Sequence, residues 1–131
     1  MIADAQKVQS AHNFIRALKT QDKDLMVSIL AEDVIWTLPG ASRISGEARG
    51  PNEVVERSRM IASVGMNFEL KYVLSGFDGA ALSLHNTASQ GERVFDENLV
   101  TVLKLRGDRI CKIDTYMHDV PMLNMFFAQE K

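Results

Sequence analysis

The chain has 131 residues, a length typical of one domain, and its content of 46% hydrophobic and 24% charged residues is ordinary for a globular protein. Its 15 basic and 17 acidic side chains give a formal charge of −2, which offers no basic surface to a nucleic acid backbone. The single cysteine excludes an internal disulfide, and the three histidines show no metal-ligand spacing. No apolar run reaches membrane-spanning length, so we expect one cytoplasmic domain over residues 1–131 without a membrane partner. From the charge and the residue spacing we also expect no metal, cofactor or nucleic acid.

Apolar residues at spacings of three and four predict helices in the first half of the chain. In chain order, the predicted elements are a helix over residues 5–19, a helix from about 23 to 31, a strand over 34–38, a loop over 41–50 and a helix over 51–63. Asp22 is placed to cap the second helix, and Pro51 fits the first turn of the third. Lys7 and His12 fall outside the apolar stripe of the first helix, so both are expected to be exposed.

After Gly65 the apolar residues change to a period of two, which is typical of strands with one buried face. The alternation and the turn dipeptides predict four strands and a short apolar helix, over residues 68–74, 80–89, 93–105, 110–118 and 122–128. Strands joined by tight turns pair antiparallel, and no parallel pair is expected. The predicted fold is α+β, with three N-terminal helices packed on a strongly curved, mainly antiparallel sheet and a pocket between the layers.

Several segments stand out together: Asp-Val-Ile-Trp-Thr-Leu-Pro-Gly at residues 33–40, a later Gly46, Gly50-Pro51 before a helix, and the segments over 97–110 and 113–119. These residues resemble the SnoaL-like branch of the NTF2-like cone-fold superfamily. This branch includes ketosteroid isomerase, polyketide cyclases, limonene epoxide hydrolase and scytalone dehydratase. The resemblance covers nearly the whole chain and implies a cone fold. It leaves the reaction open, because these proteins change chemistry by changing a few pocket residues.

The catalytic groups of two of these enzymes are missing at the matching positions. The general base, the oxyanion-hole tyrosine and the protonated aspartate of ketosteroid isomerase fall on Leu38, Phe14 and Thr101. The leucine and phenylalanine cannot exchange a proton, so that mechanism is excluded. The Asp–Arg–Asp triad of limonene epoxide hydrolase falls near residues 85–87 and on His118, and is absent as well.

Strand alternation gives a list of pocket residues that is independent of any family. A few polar groups on the inner face converge in an apolar wall, which is typical of a small-molecule site. The predicted binding residues are Phe14, Trp36, Leu38, Asn86, Leu99, Thr101, Thr115 and Met117.

Glu97 and His118 are the candidate catalytic residues. A carboxyl group on an apolar face has a raised pKa, which suits a general acid or base near neutral pH. The alternative places Glu97 at the sheet rim, in water or paired with Arg93. His118 lies at the end of the last strand beside Asp119, where an imidazole can transfer protons.

Three functions remain open at this point. The first is a cofactor-independent isomerase, cyclase, dehydratase or hydrolase that acts by acid–base catalysis on a small, largely apolar metabolite. The second is a module that binds such a molecule without changing it, and the third is a scaffold that recognises another protein through its outer sheet face. A homodimer through that face is expected, because Val100, Val102 and Tyr116 are too apolar to be left wholly in water.

Overall fold

The computed structural model describes residues 2–129, and they form one sheet and four helices around a shared core. The elements in chain order are α1 (Asp4–Thr20), α2 (Lys23–Ile29), β1 (Leu30–Leu38), β2 (Gly46–Arg49), α3 (Gly50–Ala62), β3 (Asn67–Ser75), β4 (Gly79–Gln90), β5 (Arg93–Arg106), β6 (Arg109–Met117) and α4 (Val120–Phe126). None of the helices in the described part of the chain is long and apolar enough to cross a membrane.

The sheet has six strands in the order β2-β1-β6-β5-β4-β3. Strands β3 to β6 form the predicted antiparallel meander. β1 lies parallel to β6, with Trp36 opposite Ile113, so the expectation that no parallel pair would form is wrong. Tight turns determine only the pairing of consecutive strands. β1 and β6 are far apart in the sequence, so no turn between them predicts their pairing.

The predicted loop over residues 41–50 contains the short strand β2, which corrects the sequence analysis. β2 pairs antiparallel with the end of β1, with Leu38 opposite Gly46. It has four residues, and only Ala48 among them is buried, so no apolar alternation marks it. The strand is held from outside the sheet by Arg57 of α3, whose guanidinium donates to the Gly46 carbonyl oxygen at 3.0 Å.

One face of the sheet forms the core together with the helices. Every second side chain of β5 from Phe95 to Leu105 is buried, as the predicted alternation requires. α1 contacts β3 and β4, α3 contacts β1 and β2, and α4 contacts β5. Burial of each large apolar side chain between these layers stabilises the fold by about 1.5–3 kcal/mol.

Two local predictions differ from the structure. Lys7 is buried rather than exposed, because its ammonium group reaches the Gly76 carbonyl oxygen at 2.7 Å and Asp4 Oδ1 at 3.1 Å while its stem packs inside. The last helix begins at Val120, two residues earlier than predicted, because the Asp119 side chain accepts a hydrogen bond from the Met122 N–H. His12 is exposed, as predicted.

Candidate functional site

A narrow apolar cavity lies between the inner face of the sheet and the helices. Its volume is small, about 40 Å³ of space that the centre of a water-sized sphere can occupy. Five aromatic side chains contribute to its wall, namely Phe14, Trp36, Phe68, Phe95 and Phe127. A ring-sized ligand must therefore displace side chains to enter, and the half-buried Met66 and Met117 are the lining residues best able to move.

The eight predicted binding residues all line this cavity. Its polar groups come from Asn86, Thr101 and Thr115, and the lining contributed by the described residues contains no ionisable side chain. The structure thus brings the predicted residues together in one place. Their binding of a ligand stays a prediction.

A hydrogen-bonded chain crosses one end of the cavity. The indole N–H of Trp36 donates to Thr115 Oγ1 at 3.0 Å, and Thr115 Oγ1 lies 3.1 Å from Thr101 Oγ1. The three groups supply three donor protons, and these two bonds use two of them. One threonine hydroxyl proton is therefore left over at this end of the cavity.

Glu97 is fully buried, at 0% exposure, so it does not lie at the sheet rim. Its Oε1 accepts a hydrogen bond from the Asp119 N–H at 3.0 Å, at the start of α4. Its Oε2 is buried without a hydrogen-bond partner among the described residues. Burial raises the pKa of Glu97 despite the opposing effect of the Asp119 N–H. Glu97 itself is not one of the cavity-lining residues.

Asn86 connects Glu97 to the cavity. It lies on β4 directly opposite Glu97 on β5, it is 6% exposed, and it lines the cavity. Its Oδ1 is also buried without a partner in the part of the chain that the structure describes. Asn86 and Glu97 thus each carry a buried oxygen without a partner among the described residues, and only Asn86 lines the cavity.

His118, the second candidate catalytic residue, does not line the cavity. Its side chain is 59% exposed, and its Nδ1 lies 3.4 Å from Glu97 Oε1. β6 ends at Met117, so the alternation that governs the strand does not extend to the next residue. His118 thus contacts Glu97 from the solvent side, away from the cavity.

Arg57 is a site residue that the sequence analysis missed. Its guanidinium lies 5.3 Å from the centre of the Trp36 ring and donates to the Trp36 carbonyl oxygen at 2.7 Å. Burial lowers the pKa of Arg57 to about 10, so the group stays charged at neutral pH. The available signal was its spacing of three and four from Val54 and Ile61, which puts it on the buried face of α3.

The outer sheet face carries a separate polar group centred on His85. Its Nε2 lies 2.6 Å from Asp96 Oδ1 and its Nδ1 lies 3.3 Å from Glu69 Oε1. The hydrogen bond with Asp96, and then the bond with Glu69, raise the pKa of His85. Within residues 2–129, no group of three or more His, Cys, Asp and Glu side chains is placed to hold a metal ion.

Residues 11–113 match the SnoaL-like domain family. The chain belongs to the SnoaL-like family. This membership confirms the resemblance to the NTF2-like superfamily and the α+β fold expected from it. No curated protein matches the chain.

Several solved structures share the SnoaL-like fold. Bal32a, from a soil-derived mobile gene cassette, is 22% identical over 95% of this chain and 98% of its own, with a TM-score of 0.87. TerC, co-crystallised with polyporic acid, is 13% identical over 95% and 99%, with a TM-score of 0.80. An LEH-like epoxide hydrolase from M. tuberculosis is 16% identical over 95% and 90%, with a TM-score of 0.74. At these identities the likeness shows the fold alone.

The three positions that the resemblance matched to the catalytic groups of ketosteroid isomerase all line the cavity. They are occupied by Phe14, Leu38 and Thr101. None of these three side chains can act as a general acid or base near neutral pH. Any proton transfer here needs a different residue.

Proposed function

We propose that this SnoaL-like protein binds a small, largely apolar metabolite in the cavity and converts it by cofactor-independent acid–base catalysis, as an isomerase, cyclase, dehydratase or hydrolase. The observation that carries the proposal is the fully buried Glu97 carboxyl, one of whose oxygens has no partner among the described residues. An unpartnered buried oxygen costs about 1–3 kcal/mol. Departures from a well-satisfied interior and raised carboxyl pKa values are both typical of functional sites.

Glu97 is the group proposed to move a proton. Burial raises the pKa of Glu97, which favours the neutral carboxylic acid relative to an exposed glutamate, and the proposal takes this proton as the acid of the site. His118, half in solvent and 3.4 Å from Glu97 Oε1, gives that proton a route to water that does not cross the cavity. His118 is therefore proposed as a relay and not as a group that touches the substrate.

The substrate is proposed to be a small, uncharged ring compound. The described lining is apolar except for an amide and two hydroxyl groups, and it contains no side chain that could neutralise an ionic ligand. Two of the structurally similar proteins support an organic ligand of modest size. TerC was co-crystallised with polyporic acid, and the M. tuberculosis protein is an epoxide hydrolase.

The proposal is tested with a panel of uncharged ring ketones, alcohols and epoxides, whose conversion is followed by mass spectrometry. Glu97→Gln keeps the shape of the side chain and removes its acid, so turnover should fall by roughly 10²–10⁴-fold. His85→Gln, on the outer face, is the matched control and should leave the rate unchanged. Equal rates in wild type and Glu97→Gln would show that Glu97 is not the acid or base.

A second candidate is binding of the metabolite without turnover. The observation that favours it is the absence of an ionisable side chain from the described lining, together with the direction of Glu97 Oε1 toward the start of α4. Saturable binding of panel members, with no product from any of them, would replace the enzyme proposal by this one.

We also propose that two copies of the chain associate through the outer sheet face, in the cytoplasm. Val100 on β5 lies directly opposite Tyr116 on β6, and these side chains are 37% and 64% exposed. Val102, two residues along β5, is also 37% exposed. The same patch supports the third candidate, a scaffold for another protein, if the chain proves monomeric.

A further inference from the structure

The two unpartnered oxygens near the cavity belong to residues that face each other across two strands. Asn86 on β4 lies directly opposite Glu97 on β5, and both side chains are on the buried face of the sheet. The unpartnered atoms are Asn86 Oδ1 and Glu97 Oε2. Opposite residues of an antiparallel pair have Cβ atoms about 4.5–5.5 Å apart, which brings an amide and a carboxyl within hydrogen-bonding range.

One proton satisfies both oxygens at once. Two acceptors cannot bond to each other, but a neutral carboxylic acid donates through its O–H. We infer that Glu97 is a neutral acid whose O–H is donated to Asn86 Oδ1, and that this bond turns the NH₂ group of Asn86 toward the cavity. Glu97 is then the positioning residue of the Asn86 amide, and the bond is the resting place of the proton that the proposed function assigns to Glu97.

The charges around Glu97 agree with a neutral carboxyl. The Asp119 carboxylate at the start of α4 disfavours a second negative charge beside it. The ring of His118 is mostly in water and 3.4 Å away, so it compensates a buried carboxylate poorly. The reverse arrangement, with the amide nitrogen donating to an ionised Glu97, would need such compensation.

The ligand class follows from the direction of the amide. With its oxygen held by Glu97, Asn86 offers only N–H donors to the cavity, and a donor in an otherwise apolar wall selects an uncharged acceptor. The ligand class proposed at this end is an uncharged ring compound with an acceptor oxygen, of which a ring ketone is the simplest example. A carboxylate is excluded because no cation lies in the described lining. This inference rests on the proposed function only in taking the cavity as the ligand site.

The protonation of Glu97 is tested directly by infrared spectroscopy at neutral pH. A neutral buried carboxylic acid has a C=O stretching band that carboxylates lack, so wild type should show a band that Glu97→Gln does not. The substitution also tests the positioning role, because the introduced side-chain amide can still donate an N–H to Asn86 Oδ1. Absence of the band from wild type would overturn the inference.

The ligand class is tested with three matched probes, namely 2-indanone, indane and indane-2-carboxylate. Trp36, the only tryptophan of the chain, lines the cavity and reports binding through its fluorescence. 2-Indanone should bind wild type roughly tenfold more tightly than indane, as one hydrogen bond provides. The preference should persist in Glu97→Gln and vanish in Asn86→Leu, which keeps the side-chain size and should still bind indane.

The outcomes separate this inference from the proposed function. Equal binding of 2-indanone and indane by wild type, or tightest binding of the carboxylate, would overturn the inference while leaving the cavity as a ligand site. Loss of turnover in Glu97→Gln with an unchanged ketone preference would support both. Failure of all three probes to bind would count against the proposed function, and the infrared band would still decide the state of Glu97.

Discussion

Thr115 accepts a hydrogen bond from the indole N–H of Trp36 at 3.0 Å, across 79 positions of sequence. The two residues lie on β6 and β1, the parallel pair of the sheet, and Thr115 is two residues along β6 from Ile113, which lies opposite Trp36. The bond fixes the indole plane in the cavity wall. It also fixes the relative position of the early strand and the meander, because the indole N–H is buried with this acceptor.

Replacement of Thr115 by valine should therefore destabilise the protein more than replacement of its partner Thr101. In Thr115→Val the buried Trp36 N–H loses its acceptor, which costs about 1–3 kcal/mol. Thr101→Val keeps the Trp36–Thr115 bond and should cost less. Urea unfolding of both variants measures the difference, and equal losses would show that the indole bond contributes nothing of its own.

The pH dependence of stability should reveal Glu97. Because the folded pKa of Glu97 is raised above its ordinary value of 4.5, its contribution is fully present below that pH and is lost as the pH rises through the raised value. Glu97→Gln cannot ionise, so its unfolding free energy should fall less than that of wild type over the same rise. Parallel pH profiles for the two proteins would contradict a raised pKa.

Arg57 should stabilise the junction of β1, β2 and α3. In Arg57→Met the carbonyl oxygens of Trp36 and Gly46 lose a charged donor, and the unfolding free energy should fall by about 2–3 kcal/mol. Arg59→Met is the control on the same helix, since Arg59 is exposed and pairs with Glu56 on the surface. That control should change stability by less than about 0.5 kcal/mol, and a similar loss in both variants would refute the role of Arg57.

His85 should titrate above its ordinary value of 6.5, because Asp96 and Glu69 favour its protonated form. Its contribution to stability is thus present below pH 6.5 and is lost as the pH rises through the raised pKa. Asp96→Asn should lower the pKa of His85 more than Glu69→Gln does, since Asp96 is the larger cause. NMR titration of the His85 ring gives all three values, and the opposite order would contradict the geometry.

The outer sheet face should form a two-fold interface in solution. Light scattering should give about twice the chain mass of 14.6 kDa, and Val100→Lys should shift the protein to monomer by placing like charges on both copies. Val27→Lys, at an exposed valine of α2 and away from the sheet face, is the control. A mass of 14.6 kDa for wild type at micromolar concentration would exclude the dimer.

Much of the fold was available from local sequence signals. The strict alternation of β5 assigned Glu97, Leu99 and Thr101 to the buried face, and the structure agrees. The strand β2 was missed because its four residues contain no apolar alternation and its partners, Leu38 and Arg57, lie on other elements. The parallel pairing of β1 with β6 was missed for the same reason, since it depends on contacts far apart in the chain.

The candidate site was predictable only in part. Alternation placed the strand residues of the cavity correctly, because it depends on the periodicity of each strand alone. It could not show that the Glu97 carboxyl is directed to the start of α4, since that contact is made with the backbone of Asp119. It also could not place His118, which follows the last residue of β6.

The spacing of polar groups along β5 should make the cavity sensitive to the length of its ligand. Glu97, which holds Asn86, and Thr101, which pairs with Thr115, are four residues apart, so roughly 13 Å of extended strand separates the two polar ends. The Leu84–Leu99 pair fills the interval with apolar surface. A single ring can reach one end only, whereas an elongated molecule with an oxygen at each extremity can reach both. Ligand length, as well as polarity, should therefore decide which compounds this cone retains.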